Sequence, residues 1–169
     1  MAVKNHKGLV QVFTGAGKGK TTAALGTVLR AAGQDLKVYV IFFIKGSYSD
    51  GEFSTLPRLP NVEIASYGLR KWIRDTHNVN PEEKTEAKAA LAAARKAVTS
   101  GLYDLVVLDE INIAVYFKLI DADEVIQLIK DKSPDTELIL TGRNADKRII
   151  EMADLVTEMQ NISIPMIKG

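Results

Sequence analysis

A glycine-rich turn that directly follows the first apolar run constrains this chain more than any other feature. The apolar run covers residues 9–13, the turn covers residues 15–22, and a stretch rich in alanine and leucine comes next. A strand that ends in glycines and opens a helix directs several backbone N–H groups at one spot, where the positive end of the helix dipole adds its field. The stretch therefore predicts a strand-turn-helix unit that binds a polyphosphate.

The turn has the residues of a phosphate-binding P-loop, although it is one residue shorter than the general pattern. That pattern, G-x-x-x-x-G-K-[ST], would place a glycine at Thr14. Lys20 is predicted to reach phosphate oxygens, and the hydroxyl of Thr21 to ligate Mg²⁺. The alternative is a simple tight turn with solvated lysines, which the Lys-Thr-Thr start of the helix disfavours. The predicted nucleotide contacts are Gly15, Ala16, Gly17, Lys18, Gly19, Lys20, Thr21 and Thr22.

Composition excludes several other functions. The chain has no cysteine, which excludes a disulfide framework, a thiolate nucleophile and a cysteine-ligated metal centre. The net charge is +1 and the basic residues are scattered, so no surface for nucleic acid is expected. A dinucleotide fingerprint would need a glycine at Lys20, and the second strand ends without the acid that binds a ribose. Small ligands other than NAD are therefore the expected partners.

Length and hydropathy predict one domain without a membrane segment. The chain has 169 residues, 46% of them hydrophobic, and this is the size of a single domain spanning residues 1–169. Its longest unbroken apolar run, residues 38–44, is much shorter than a bilayer requires, and the N-terminus lacks the core of a signal peptide. We therefore expect a cytoplasmic location and no membrane partner.

Apolar runs and helical patterns alternate along the chain. The runs are almost continuously apolar, which is typical of parallel strands buried on both faces. Strands are predicted over residues 9–13, 37–44, 62–65, 103–108, 136–140 and 155–158, and the main helices over residues 21–32, 81–100, 121–132 and 144–152. The alternation predicts an α/β fold with an open, doubly wound, mainly parallel sheet and helices on both faces.

Capping residues predict where several helices begin and end. Asn80 is followed by a proline and by an acid three residues later, so it is predicted to cap a helix that continues to Ser100. Gly33 is predicted to end the first helix in the left-handed conformation. Asn144 is predicted to cap a helix that ends at Met152.

Polar residues follow the predicted strands at the ends where open α/β sheets bind ligands. Lys45 follows the second strand, Asp109 and Glu110 follow the fourth, and residues 141–144 follow the fifth. These segments are predicted to converge with the glycine-rich turn on one rim of the sheet. Because a hydrophobic strand that ends in acids usually completes a P-loop site, either Asp109 or Glu110 is predicted to bind Mg²⁺. In isolation, such acids often only cap the next helix.

Two further side chains, Arg143 and Trp72, are candidates for ligand contacts. Arg143 could neutralise charge that builds on a phosphate leaving group, or it could equally pair with a surface acid. Trp72, the only tryptophan, lies near Tyr67 and Arg70 in a loosely patterned segment. A flat aromatic side chain there could cover a flat ligand, and packing of the indole against the core is an equal alternative.

Taken in order along the chain, these segments resemble the P-loop type of ATP:corrinoid adenosyltransferase of the cobalamin pathway. The similarity extends over nearly the whole sequence and includes the shortened loop, which that family carries. The similar segments are residues 8–15 (GLVQVFTG), 17–26 (GKGKTTAALG), 43–46 (FIKG), 51–52 (GE), 109–112 (DEIN), 140–145 (LTGRNA) and 153–159 (ADLVTEM).

The resemblance implies a P-loop NTPase-like (RecA-like) fold and a specific reaction. ATP would bind in a flipped orientation, and a cobalt(I) corrinoid would take its 5′-deoxyadenosyl group and release triphosphate. Lys20 and Arg143 would be catalytic, and Asn144 would join the ATP contacts. Trp72, Tyr67 and Arg70 would contact the corrinoid, with Trp72 displacing the lower axial ligand of cobalt.

The resemblance also implies a flavoprotein as external reductant, and a homodimer. Two other functions would use the same loop. One is a small-molecule kinase, which would leave ADP instead of triphosphate. The other is an ATP-dependent carrier that hands a corrinoid to another enzyme without catalysing transfer.

Overall fold

One parallel sheet organises the fold. The computed structural model describes residues 7–46, 51–69 and 80–163. In these ranges the strands are β1 (Val10–Thr14), β2 (Val38–Phe42), β3 (Val62–Ser66), β4 (Leu105–Asp109), β5 (Glu137–Thr141) and β6 (Leu155–Glu158). They are all parallel and lie in the order β3-β2-β4-β5-β1-β6. The predicted α/β fold with a parallel sheet is confirmed, and it is consistent with the P-loop NTPase-like class.

Helices connect the strands and cover both faces of the sheet. They are α1 (Lys20–Ala32), α2 (Gly51–Thr55), α3 (Pro81–Ser100), α4 (Ile111–Tyr116), α5 (Ala122–Asp131) and α6 (Lys147–Met152), with a 3₁₀ turn at Leu56–Arg58. The predicted start of α3 is confirmed, because the Asn80 side chain accepts from the Glu82 N–H at 3.0 Å and the Glu83 carboxylate accepts from the Asn80 N–H at 3.1 Å. No sequence pattern predicts the short helix α2.

Alternate residues of each central strand pack into two different apolar layers. In β4, Val106 and Leu108 belong to the layer formed with α3, α4, α5 and α6, whereas Leu105 and Val107 belong to the layer formed with α1. The face of α3 that meets the sheet is mostly alanine, so this helix can lie close to the strands. With both faces covered, the carboxyl ends of the strands are where polar side chains can gather.

Two helix caps differ from the predictions, although α1 ends at Ala32 with Gly33 as its C-cap, as predicted. Gly33 is right-handed, with φ −66°, and the left-handed residue is Asp35, with φ 58°. The reason is a tighter last turn, in which the Gln34 N–H donates to the Ala31 carbonyl at 2.9 Å, so the chain reverses two residues later than predicted.

The cap of α6 is Asp146 and not Asn144. The Asp146 side chain accepts from the Arg148 N–H at 2.9 Å. Asn144 instead adopts a left-handed conformation, with φ 55°. The N–H of the next residue, Ala145, donates to the Thr14 hydroxyl at 3.3 Å, which ties this turn to β1 and delays the start of the helix.

Candidate functional site

A cavity of about 990 Å³ lies at the carboxyl ends of the strands. The glycine-rich turn and the start of α1 form one side of it, and the ends of β2 and β4 with helix α4 form another. The structure therefore brings together the segments that were predicted to converge on one rim. Its lining residues are Ala16, Gly17, Lys18, Gly19, Lys20, Thr21, Thr22, Ile44, Lys45, Glu110, Ile113, Tyr116, Phe117, Arg143, Asn144 and Asn161.

The first part of the turn is held by the segment that follows β6. The Gly17 N–H donates to the Met159 carbonyl at 2.6 Å. A Cβ at Gly15 would lie 2.4 Å from the Met159 carbonyl oxygen, and one at Gly17 would lie 2.6 Å from the Met159 carbonyl carbon. Both glycines are thus required by the close approach of another backbone segment. Gly15 is not among the described residues that line the cavity.

The second part of the turn presents Lys20 and the first amides of α1 to the cavity. Lys20 is 7% exposed, and its Nζ donates to the carbonyl oxygens of Gly15 at 2.8 Å and Gly17 at 2.5 Å. Burial and the nearby Arg143 lower the pKa of Lys20, and Glu110 acts in the opposite direction. The first N–H groups of a helix have no partner inside it. An anion in the cavity can therefore bind these amides and replace the two neutral carbonyls as the partner of Lys20.

Glu110 is the acid that faces the cavity. It has φ 62°, and its N–H donates to the Thr141 hydroxyl at 2.9 Å, so the chain turns sharply between β4 and α4. Burial raises the pKa of Glu110, and the adjacent Asp109 raises it further, whereas Lys45 and the other cations of the cavity lower it. The neighbouring carboxylates of Asp109 and Glu110 therefore repel each other, and a divalent cation at Glu110 could reduce this repulsion.

Asp109 lies behind the cavity wall and is only 1% exposed. Its Oδ1 accepts from the Thr141 hydroxyl at 2.7 Å. Its Oδ2 has no well-aligned hydrogen bond but lies 3.1 Å from Nζ of Lys45. Burial lowers the pKa of Lys45, but attraction to Asp109 and to Glu52 outweighs burial, so that the pKa is raised overall. Sequence reasoning placed Lys45 on the rim without a role, and only the structure shows its partner.

The oxygen donors at this site fit a Mg²⁺ ion that shares its coordination with a nucleotide. Thr21 and Glu110 both line the cavity. Asp109 adds a buried carboxylate oxygen that lies beside Nζ of Lys45. Across residues 7–46, 51–69 and 80–163 there is no cluster of three or more histidine, cysteine or acidic side chains that could hold a metal alone. Phosphate oxygens would have to complete the coordination, as is usual for Mg²⁺.

The remaining predicted contacts have different outcomes. Arg143 and Asn144 are exposed and line the cavity. Tyr67 is half-buried, packs against the core layer that contains α3, and is not one of the described lining residues. Trp72 and Arg70 lie outside the described residues.

An apolar wall of the cavity was missed by sequence reasoning. It consists of Ile44 at the end of β2 and of Ile113, Tyr116 and Phe117 from α4 and the residue after it. The Tyr116 and Phe117 rings meet edge to face, with centroids 5.6 Å apart. The one feature of the sequence that could have indicated this wall is the apolar character of the short segment after Glu110.

The fold and the cavity define the class of this protein: an α/β protein of the P-loop NTPase-like type, with a glycine-rich turn after the first β-strand that lines the cavity. The glycine-rich turn after β1 and Glu110 after β4 face one cavity, and β5 lies between these two strands.

The chain belongs to the ATP:corrinoid adenosyltransferase family BtuR/CobO/CobP, whose sequence model matches residues 6–169. A corrinoid adenosyltransferase of Sinorhizobium sp is 36% identical over 171 residues, which cover 100% of this chain and 80% of that protein. The corrinoid adenosyltransferase of Escherichia coli K12 is 34% identical over 160 residues, with 94% and 80% covered. CobA of Salmonella typhimurium is 34% identical over 161 residues, with the same shares covered.

Proposed function

We propose that this protein transfers the 5′-deoxyadenosyl group of ATP to the cobalt(I) centre of a corrinoid. The observation that carries the proposal is one cavity lined by Lys20, Thr21, Glu110 and Arg143, in a chain of the adenosyltransferase family. The electron pair of cobalt(I) attacks C5′ and forms a cobalt–carbon bond. The bond between C5′ and its phosphate oxygen breaks, and triphosphate leaves with the electron pair of that bond. No side-chain nucleophile is needed, which agrees with a chain that has no cysteine.

The protein contributes placement and charge to this reaction. On nucleotide binding, Lys20 would exchange the carbonyls of Gly15 and Gly17 for phosphate oxygens, and the first amides of α1 would bind the same group. Arg143 would approach from the turn after β5 and stabilise the charge of the leaving triphosphate. Mg²⁺, held by Thr21 and Glu110, would neutralise part of the triphosphate charge. Fixed geometry between C5′ and cobalt supplies the rest of the rate enhancement.

Glu110 is the better candidate for the direct metal contact. Its carboxylate lines the cavity, whereas Asp109 is buried behind the wall and bound to Thr141 and Lys45. A carboxylate already engaged by a hydroxyl and an ammonium group would have to give up both partners before it could bind a metal. The structure thus supports Glu110 as ligand and Asp109 as its neighbour with a different task.

Four expectations on partners and location stay predictions. They are the corrinoid contacts of Trp72, Tyr67 and Arg70, a flavoprotein reductant, a homodimer and a cytoplasmic location. In the described ranges, every helix is too short or too polar to cross a bilayer.

The decisive experiment mixes the protein with ATP, Mg²⁺ and chemically reduced cob(I)alamin. We expect the visible spectrum to change to that of a light-sensitive alkylcobalamin, and triphosphate to form in equal amount. A kinase would give ADP with a suitable acceptor, and a carrier would bind the corrinoid without turnover. The absence of both the alkylcobalamin and triphosphate under strongly reducing conditions would contradict the proposal.

Trp72→Ala tests the corrinoid side of the site. If the indole displaces the lower axial ligand of cobalt, the variant should lose more activity from cob(II)alamin with a reductant than from pre-reduced cob(I)alamin, because only the first assay needs the four-coordinate state. Rates in the two assays are compared with wild type. Equal losses in both would remove this role from Trp72.

A further inference from the structure

Lys45 is a cation of the cavity to which neither the sequence nor the proposed reaction assigns a task. It follows β2, lines the cavity, and has a side chain that is 16% exposed. Its position is set by the register of two neighbouring parallel strands, in which Phe42 of β2 lies opposite Asp109 of β4. The side chain also passes the Phe42 ring, with Nζ 5.2 Å from the ring centroid. Lys45 is therefore held by the sheet itself, and not by the glycine-rich turn.

The ammonium group of Lys45 supplies the positive charge that the buried carboxylate of Asp109 needs. Asp109 Oδ1 is bound by Thr141, so Oδ2 is the free oxygen of that carboxylate, and Lys45 Nζ lies 3.1 Å from it. Glu52 is a second, more exposed partner of Lys45, at 3.4 Å. A buried carboxylate without a counter-charge is strongly unfavourable. Without Lys45, the adjacent Asp109 and Glu110 would form an acidic pair able to attract a divalent cation on their own.

We propose that Lys45 is a positioning residue that occupies the cation place beside Asp109 in the free protein, so that the acid end of the cavity binds a divalent metal, at Glu110, only together with the nucleotide. This inference rests on the proposed magnesium and nucleotide site. With Lys45 beside Asp109, Glu110 is the carboxylate of the pair that faces the cavity. The phosphates of the nucleotide then supply the additional negative charge and the oxygen ligands that a metal needs.

The test measures Mn²⁺ binding to the free protein by electron paramagnetic resonance, without ATP or corrinoid. Lys45→Met should bind Mn²⁺ at least about tenfold more tightly than wild type, because it removes the positive charge that lies 3.1 Å from Asp109 Oδ2. Lys45→Arg should behave like wild type. The double variant Lys45→Met/Asp109→Asn should lose the gain. Lys18→Met is the matched control, since Lys18 is an exposed lysine of the same cavity and its removal leaves Asp109 paired.

Thermal unfolding of the same variants provides a second measurement. Lys45→Met should have a lower Tm than wild type in metal-free buffer. Addition of Mn²⁺ should raise the Tm of the variant more than the Tm of wild type. Should Lys45→Met not fold, Lys45→Gln removes the charge and keeps a hydrogen-bond donor, and the same gain in Mn²⁺ affinity is expected of it.

Three results would overturn the proposal: no gain in Mn²⁺ affinity for the neutral variants, a gain that survives Asp109→Asn, or an equal gain for Lys18→Met. These measurements do not involve the transfer reaction. If the neutral variants show the gain in Mn²⁺ affinity but the protein forms no alkylcobalamin, the role of Lys45 is supported and the proposed function is contradicted.

Discussion

Lys20 and Lys45 lie on the same cavity with the same charge, yet the two ends of the site hold them in opposite ways. At the loop end, the partners of Lys20 are two neutral backbone carbonyls, and its pKa is lowered. At the acid end, the partner of Lys45 is a buried carboxylate, and its pKa is raised. The loop end therefore carries a cation with weak partners, whereas the acid end carries a compensated ion pair.

This difference indicates how the two ends respond to a ligand. A phosphate is a better partner for an ammonium group than a carbonyl is, so Lys20 gains interaction energy when the nucleotide arrives. Lys45 has little to gain from a phosphate unless Asp109 finds another cation. On the proposed function, the loop end would bind the anion, and the acid end would keep its charges balanced until a metal comes with that anion.

Replacing Lys20 with alanine should have the largest effect on activity. We expect the transfer rate to fall by about 100-fold to 1,000-fold, the usual loss when one preorganised donor to a developing negative charge is removed. Stability should change little, because the hydrogen-bond partners of Lys20 among the described residues are two neutral carbonyls, which water entering the cavity can bind instead. Steady-state rates and thermal unfolding check both statements. Full activity of the variant with ATP would show that the phosphate site is assigned to the wrong residues.

Glu110→Gln and Asp109→Asn should separate the two acids. Glu110→Gln is expected to raise the Mg²⁺ concentration for half-maximal rate by at least about tenfold, because it removes the carboxylate that faces the cavity. Asp109→Asn should raise it less and should instead lower the free energy of unfolding by about 1–3 kcal/mol, because Lys45 and Thr141 lose a charged partner. Magnesium titrations of the rate and denaturant unfolding of both variants are the measurements. The reverse ranking in the titrations would make Asp109 the metal ligand.

The parts of the fold that follow from local chemistry were predictable from the sequence. Helix α3 was predicted between its observed ends, because Asn80 and Glu83 form the reciprocal cap and Gly101 ends the helix in a left-handed conformation. The strand over residues 155–158 was also predicted with its observed bounds. In these cases the signal lies within a few residues of the feature it specifies.

The contacts that set the chemistry of the site were not predictable, because they join segments that are distant in sequence. The pairing of Lys45 with Asp109 depends on the register of β2 against β4. The contact of Gly17 with Met159 depends on how β6 docks on β1. Sequence reasoning explained the glycines by phosphate binding, and the structure adds a close backbone approach that requires them for a different reason.

Of the four variants, Gly17→Ala should have the smallest effect on the transfer rate. It tests whether the loop end depends on its contact with Met159. The added methyl group would lie 2.6 Å from the Met159 carbonyl carbon, so the loop or the segment after β6 has to move. We expect unfolding to become easier by about 1–3 kcal/mol and the affinity for ATP to fall, with the Mn²⁺ affinity of the acid end unchanged. Gly26→Ala is the matched control, because Gly26 lies in α1 with no atom near the added methyl group, and it should stabilise the protein by about 0.5–1 kcal/mol. If Gly17→Ala were as stable as Gly26→Ala and bound ATP normally, the Met159 contact would not hold the loop in place.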